Sequence, residues 1–529
     1  MNNPADQNIH PPFPQQPLRQ RAPFMPPMPP RPMTRRARWG QQLMAGQALI
    51  SNSLPEWFAT YAFATYMVAL LGINMMYSNY ATEWYYWLFG VAWVAGFFYL
   101  SVKYSKEWSV QKIRKPKVFE KKLFQTGLWI RVVYAVFIHF FYIAMTGRPL
   151  EFDAADSEGY QEMAQDMAIY LSEGNLWPFL TKMAKTSFSD MGFPLFMLLP
   201  SYIFEGNTVL LVVRLVLSFF GAYTAVVMYR LTSRSMTETT ARLAAIFCML
   251  HPVLISYCGI TLKEVFMTFL VVLFVDLADR MLRDRNYSFT TIVPMVLVGL
   301  SLFMFRTVLG MVAFLSVFFA LAMLDTRIVS WGKKFVLGLV LVGIVLLVAS
   351  DNIMREVSSI TKTDVLQEQE NTMTYRYGSE KEGKMTGNRF ANYAGAAVFA
   401  PLIFTIPFPT MVDIGFQEGM RLIHGGNWMR NIMSGLVILA MVMLLLTGDW
   451  RKYTLPLAVL LGYLVVLVFS AFAQSLRFHI PGMPFEMMFA AYAITNMRKK
   501  HRNWYLIWCL LCIVMCFGWN WMKLRGRGL

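Results

Sequence analysis

The chain has 529 residues, of which 56% are hydrophobic and only 15% charged, and it carries a net charge of +17. Soluble globular chains carry roughly 25% charged residues, so the composition excludes an ordinary soluble domain and predicts an all-α polytopic membrane protein. The surplus Lys and Arg stand beside hydrophobic runs, as the positive-inside rule requires, which argues against nucleic acid as the partner behind the charge.

In chain order, residues 1–40 form a Pro-, Gln- and Arg-rich arm that cannot bury a core and is expected to be disordered and cytoplasmic. Its PPFPQQP and PFMPPMPPRP stretches have the composition of ligands for proline-recognition domains, and equally of a solvated basic tail beside anionic lipid. No secretory signal peptide is visible, because the first apolar run begins near Pro55. Residues 41–125 hold two spans, near Pro55–Tyr77 and Thr82–Tyr104, and then the loop SKEWSVQKIRKPKVFEKK, which with Lys103 carries eight Lys or Arg and is assigned to the cytoplasm. The next span, near Leu123–Met145, therefore exits on the opposite side.

Residues 126–350 carry further runs near Thr208–Leu231, Ala241–Gly259, Val265–Leu282, Thr290–Phe305, Val308–Leu324 and Phe335–Ser350. Residues 351–430 read as an extracytoplasmic segment whose prolines Pro401, Pro407 and Pro409 favour an interfacial or re-entrant course. Residues 431–529 hold four closing runs, near Ile432–Thr447, Leu455–Phe472, Phe485–Thr495 and Trp504–Met522. The sum is about 13 spans, in a range of about 11–14, with short helices in the external loops. Cys248, Cys258, Cys509, Cys512 and Cys516 all fall in apolar runs, so no disulfide framework is expected.

The first external loop, residues 150–190, is the chemical anomaly. From Glu151 to Asp190 it holds eight carboxylates against two lysines, Lys182 and Lys185. Asp156 opens a helix-like run, SEGYQEMAQDMAIYLSEG, where it is expected at an N-cap; Asp153, Asp156 and Tyr160 share a face if the helix starts early. A fixed carboxylate here reads two ways: a general base that accepts a hydroxyl proton, or a capping residue on a solvated helix.

The order Asp-x-x-x-Tyr-x-x-x-Ala in DSEGYQEMAQDM, Asp156 to Met167, resembles the first external loop of the GT-C superfamily of membrane glycosyltransferases. It is similar to lipid A aminoarabinose transferases and to bacterial relatives of protein O-mannosyltransferases. MGFPLFMLLPSYIFEGN, VVRLVLSFFGAYTAVVMYRLTSR and LAAIFCMLHPVLISYCGITLKE resemble the helices and external turn that follow there, and SLRFHIPGMPFEMMFAAY resembles the Arg-x-x-x-Pro-x-x-Pro opening of a late helix. The resemblance covers Thr126 to Arg327 and this later stretch. It implies an enzyme that transfers a sugar from a polyprenyl-phosphate donor to a glycan, lipid or protein acceptor at the external face of a bacterial inner membrane. It implies Asp156 as the general base, with Asp153 and Glu158 as the alternates, and names neither sugar nor acceptor.

Such a leaving phosphate calls for cationic donors. The sequence offers Lys263 in TLKEVF, Arg306 in MFRTVL and Arg477 in SLRFHIP, each at an external helix end and each also readable as a snorkelling interfacial charge. Glu264 is expected to orient the cations or contact a sugar hydroxyl. His479 reads as a second proton-transfer group or an interfacial hydrogen bond, and Tyr160 joins the substrate-binding set. His139 and His251, within apolar runs, read as packing residues. No spacing marks a metal site; some relatives use a divalent ion, so cofactor use stays open. Two other classes compete. A polysaccharide polymerase or ligase would be led by external arginines rather than by an acidic loop. A transporter or flippase would carry charges deep in its spans and a repeat between its halves.

Overall fold

The computed structural model describes residues 35–49, 53–152, 154–186, 188–284, 288–323, 343, 379–381, 384–386, 403–415, 417–469 and 475–526. These residues are almost wholly helical; one antiparallel pair, Ser379–Lys381 with Lys384–Thr386, is the exception. Among the described residues, seven helices are long and apolar enough to cross a membrane, or eight if one bent pair counts as a single span. They are α2 (Glu56–Met76), α3 (Trp84–Glu107), α4 (Pro116–Thr146), α8 (Asn207–Ser233), α15 (His424–Thr447), α16 (Thr454–Phe469, with the preceding turn) and α19 (Arg502–Gly526).

The expected count of about 13 is therefore not reached among the described residues. Helices do form at four more of the expected places. Of these, α12 (Phe289–Phe305), α13 (Thr307–Met323) and α18 (Met483–Asn496) are too short, at 17, 17 and 14 residues. The fourth, α11 (Glu264–Arg283), carries Asp276, Asp279, Arg280 and Arg283 in its last turns. The run Phe335–Ser350, the Pro-rich arm before Arg35 and most of the 351–430 segment lie outside the described residues. The helix α1 (Arg35–Met44) begins inside the stretch expected to be disordered.

Local chemistry explains the ends. Pro116 opens α4 at its first turn and Gly147, at φ 76°, closes it in the left-handed region; Gly448, at φ 79°, closes α15 the same way. Thr237 caps α9 (Glu238–Leu250) by accepting the Thr240 N–H. Pro252 then stops that helix: His251 takes extended backbone before it, and α10 (Pro252–Ser256) sets off at 48°. The carbonyls freed at this break need donors. The fully buried Arg131 of α4 supplies them, reaching Met249 O at 2.9 Å and Cys248 O at 3.3 Å.

The centre of the bundle is α8, which packs on α4, α9 and α11; α18 lies between α9 and α15. Residues 403–414 are non-helical yet largely buried. Their backbone is satisfied by side chains: Asn431 donates to Thr405 O, while Asn520 donates to Pro409 O and accepts from Met411 N. Irregular chain at membrane depth is tolerated only when enclosed this way.

The helices define two ends. One gathers the basic loop before α4, the Arg234–Asp276–Arg280 and Asp279–Arg283 pairs, and residues 498–501. The other gathers the acidic loop, the α12–α13 break at Arg306 and residues 417–423 and 475–479.

Candidate active site

At this second end, α5 (Ala155–Ser172) packs on α7 (Gly192–Ile203). The helix starts two residues earlier than an Asp156 cap requires. Ala154 is the N-cap and makes no side-chain bond, so Asp156 is the second helical residue. Its carboxylate is turned to Arg477, 321 residues away in sequence, with which it forms an ion pair.

Arg477 sits on α17 (Leu476–His479) and also pairs with Glu264, the first residue of α11. Glu264 is fully buried, and Arg306 approaches the same carboxylate oxygen at 3.9 Å. Arg306 stands in extended backbone between α12 and α13, donates to Tyr463 OH at 3.0 Å and lies 4.2 Å over the Phe478 ring. Beside this ladder, Lys263 pairs with Asp190, and Tyr160 OH donates to Asp190 at 3.3 Å. Three cations and three carboxylates thus gather as one chain, Arg306–Glu264–Arg477–Asp156, and one separate pair, Lys263–Asp190. Only Asp156, 59% exposed, and Asp190, 47% exposed, face outward; the Arg477 side chain is 19% exposed.

Asp156 and Arg477 line a cavity of about 260 Å³. Tyr134, Tyr142, Phe152 and Tyr257 supply aromatic walls, Glu151 a further carboxylate, and Gln417, Met420 and Ile423 the roof. The roof is pinned by Arg421, which pairs with Asp413 at 2.7 Å and lies 5.0 Å over Tyr86, and by Lys523, which donates to Gln417 at 2.6 Å. A volume just under the ~300–1,000 Å³ of small-molecule pockets suits one small headgroup.

Burial sets the electrostatics. It pushes the Glu151 carboxyl up from its ordinary value, opposed by the Ser157 hydroxyl and the Arg214 guanidinium. It pushes Lys263 down, opposed by Asp190, and Tyr160 up, with Asp190 adding to the rise. For Arg477, burial acts downward but the Glu264 and Asp156 carboxylates outweigh it, and the guanidinium is held more firmly charged than usual.

Six of the sequence-derived residues, Asp156, Tyr160, Lys263, Glu264, Arg306 and Arg477, therefore meet in one region. Glu158 and His479 stand apart from the cavity, and one expected residue cannot be placed. Glu158 pairs with Arg148 on the loop. His479 is buried against Arg430, accepting at 2.8 Å, and is not among the residues that line the cavity. Asp153 lies outside the described residues. Glu151, Asp190 and the cavity tyrosines were not singled out by the sequence; Glu151 and Asp190 are the two ends of the acidic run, which was the available signal. Among the described residues, no three His, Cys, Asp or Glu side chains gather as metal ligands. In comparison with known proteins, no family model matches this chain and no curated protein is significantly similar to it.

Proposed function

We propose that this protein is a membrane glycosyltransferase of the GT-C kind, which transfers a sugar from a polyprenyl-phosphate donor to a glycan, lipid or protein hydroxyl. The observation that carries the reading is the convergence of Asp156, Glu264, Arg306 and Arg477 from four separated stretches beside an aromatic-walled cavity. On this reading the acceptor oxygen attacks the anomeric carbon and its proton passes to Asp156. The bond from that carbon to the phosphate oxygen breaks, and the electron pair leaves on the phosphate. Arg477 and Arg306 meet the charge that develops there, and the guanidinium fork suits it. The tyrosine faces and Glu151 suit a sugar ring and its hydroxyls.

The balance of charges adds an order to these events. An arriving phosphate competes with carboxylates for Arg477, and the half-exposed Asp156 yields where the buried Glu264 does not. Donor binding thus frees the base. The site end of the bundle faces the exterior of a bacterial inner membrane, with the basic loops in the cytoplasm.

The test is transfer from a polyprenyl-phosphate sugar in vesicles. Asp156→Asn should lower turnover by about 10²–10⁴-fold, the usual size of a general-base contribution, with donor binding retained. Near-normal turnover in that variant would remove Asp156 from the chemistry and favour the arginine-led polymerase or ligase reading.

A further inference from the structure

The basic end of the bundle, opposite Asp156 and Arg477, holds two hollows that the proposed reaction does not use. One, of about 450 Å³, is lined by Arg234, Arg283, Arg451 and Lys452 against a single carboxylate, Asp279. The other, of about 750 Å³, lies between α13, α15 and α16 and is lined almost wholly by apolar side chains. The two adjoin, because Thr454 lines both. On α13 the apolar hollow takes Val312, Ser316 and Phe319, and the basic one takes Met323. Positions spaced four, three and four apart form one stripe on a helix. The hollows therefore make one amphiphilic groove along the seam where α13 packs on α16. From Thr454 to Val466 its apolar part follows α16 for twelve residues, about 18 Å. That matches the depth of one leaflet, about half of a ~30 Å hydrocarbon core. Trp450 lines the apolar part beside Arg451 of the basic part, where an aromatic ring suits the boundary between hydrocarbon and headgroup.

The positive-inside rule and the negative ends of α8 and α11 both account for a cation at this level. They do not account for cations fixed around a hollow. Asp279 accepts from Arg234 Nε at 3.0 Å and from Arg283 Nε at 2.8 Å. Arg234 Nη2 donates to Asp276 at 2.7 Å, and Arg283 Nη2 donates to the Lys452 carbonyl at 2.6 Å. In each guanidinium Nη1 makes none of these bonds, and an arginine has five N–H donors. Lys452 pairs with Asp449 at 2.6 Å, whereas the exposed Arg451 forms no ion pair among the described residues. Guanidinium groups held in this way suit phosphate oxygens. The adjoining apolar groove suits a hydrocarbon chain, which a free anion lacks.

We infer that this groove binds an anionic phospholipid of the leaflet at the basic end, with its phosphate among Arg234, Arg283 and Arg451 and an acyl chain along the α13–α16 seam. Basic pockets between membrane helices hold anionic headgroups by the same chemistry. The inference does not depend on the glycosyltransferase reading.

The test uses full-length protein in detergent at physiological ionic strength. Dioleoyl-phosphatidylglycerol, dioleoyl-phosphatidylcholine and inorganic phosphate are each added, and bound lipid is measured by native mass spectrometry. Wild type should bind phosphatidylglycerol about tenfold or more tighter than phosphatidylcholine. Arg451→Gln/Lys452→Gln should weaken phosphatidylglycerol by roughly ten- to thirtyfold, since each basic residue near an anionic headgroup contributes about fivefold. Both side chains are exposed, so the variant should melt near wild type without lipid. Lys112→Gln/Lys115→Gln removes the same charge from exposed positions that do not line the groove. It should change the affinity less than about twofold, because salt screens the more distant charges. Ala458→Phe fills the apolar part and should weaken both phospholipids together. Equal wild-type affinity for the two phospholipids, an equal loss in Lys112→Gln/Lys115→Gln, or undiminished binding in Ala458→Phe would each overturn the inference. So would inorganic phosphate that competes as well as phosphatidylglycerol, which would reduce the groove to a free-anion site.

Discussion

Arg477 has two carboxylate partners in different surroundings, and removing either one should have an opposite profile. Glu264 is wholly buried, shared between Arg477 and Arg306, and sits at the start of α11. Glu264→Gln keeps the volume but leaves two guanidinium groups short of a counter-charge. Breaking a buried pair from one side costs about 3–5 kcal/mol; because Arg477 retains Asp156, the lower end, about 3 kcal/mol, is expected. Asp156 is more than half exposed. Solvent screens its pair with Arg477, so Asp156→Asn should cost only about 0–1 kcal/mol. Thermal midpoints of the two purified variants decide the matter. At an unfolding entropy of about 2.1 cal/mol/K per residue a chain of this length shifts by roughly 1 °C per kcal/mol, so Glu264→Gln should melt a few degrees below wild type and Asp156→Asn within about a degree. Turnover should separate them the other way, with Asp156→Asn losing activity at nearly native stability. Equal midpoints, or a larger loss in Asp156→Asn, would refute the division into a buried anchor and an exchangeable partner.

Further outcomes follow from other parts of the fold. With the five buried native cysteines replaced, Glu418→Cys on the roof should react with an impermeant thiol reagent in intact cells and Lys115→Cys only after permeabilisation; the reverse pattern would invert the topology. Burial raises the Glu151 carboxyl above its ordinary 4.5, so the folded state binds that proton more tightly than the unfolded one. Stability from this group is present below pH 4.5 and is lost as pH rises through the raised value; melting curves of Glu151→Gln should lack that decline, and parallel curves would contradict it. A Cβ at Gly425 would lie 2.5 Å from the Gly90 carbonyl oxygen, where α3 and α15 cross. Backbone cannot yield as a side chain can, so Gly425→Ala should cost at least about 1–3 kcal/mol, whereas Gly462→Ala, 3.4 Å from a Val312 methyl, should be nearly neutral in the same melting assay.

The long apolar helices were legible because length and hydropathy alone define them, and α2, α3, α4, α8 and α15 all appear where the runs predict. The bent pair was not legible as such. Ala241–Gly259 reads as one span until Pro252 is given its steric due, and the need for a guanidinium at the break explains a buried Arg131 that the hydropathy of α4 conceals. The charges at the helix ends were legible as a set, since a charge at such a boundary demands a partner or a task. Their pairing was not. Nothing in the sequence says that Arg477 takes both Asp156 and Glu264, or that Lys263 takes Asp190 rather than its neighbour Glu264. Contacts separated by 213 and 321 residues are set by how α5, α11 and α17 meet, and sequence pattern does not reach that far.

His479 shows the limit most clearly. Read locally, a histidine two residues from the key arginine, beside Pro481, is either a second proton-transfer group or an interfacial hydrogen bond. A helical turn separates such neighbours by more than half a rotation, so one of the two must face away from the cavity. In the structure it is His479, which accepts from the buried Arg430, 49 residues earlier and placed by the sequence in the external segment just before a span.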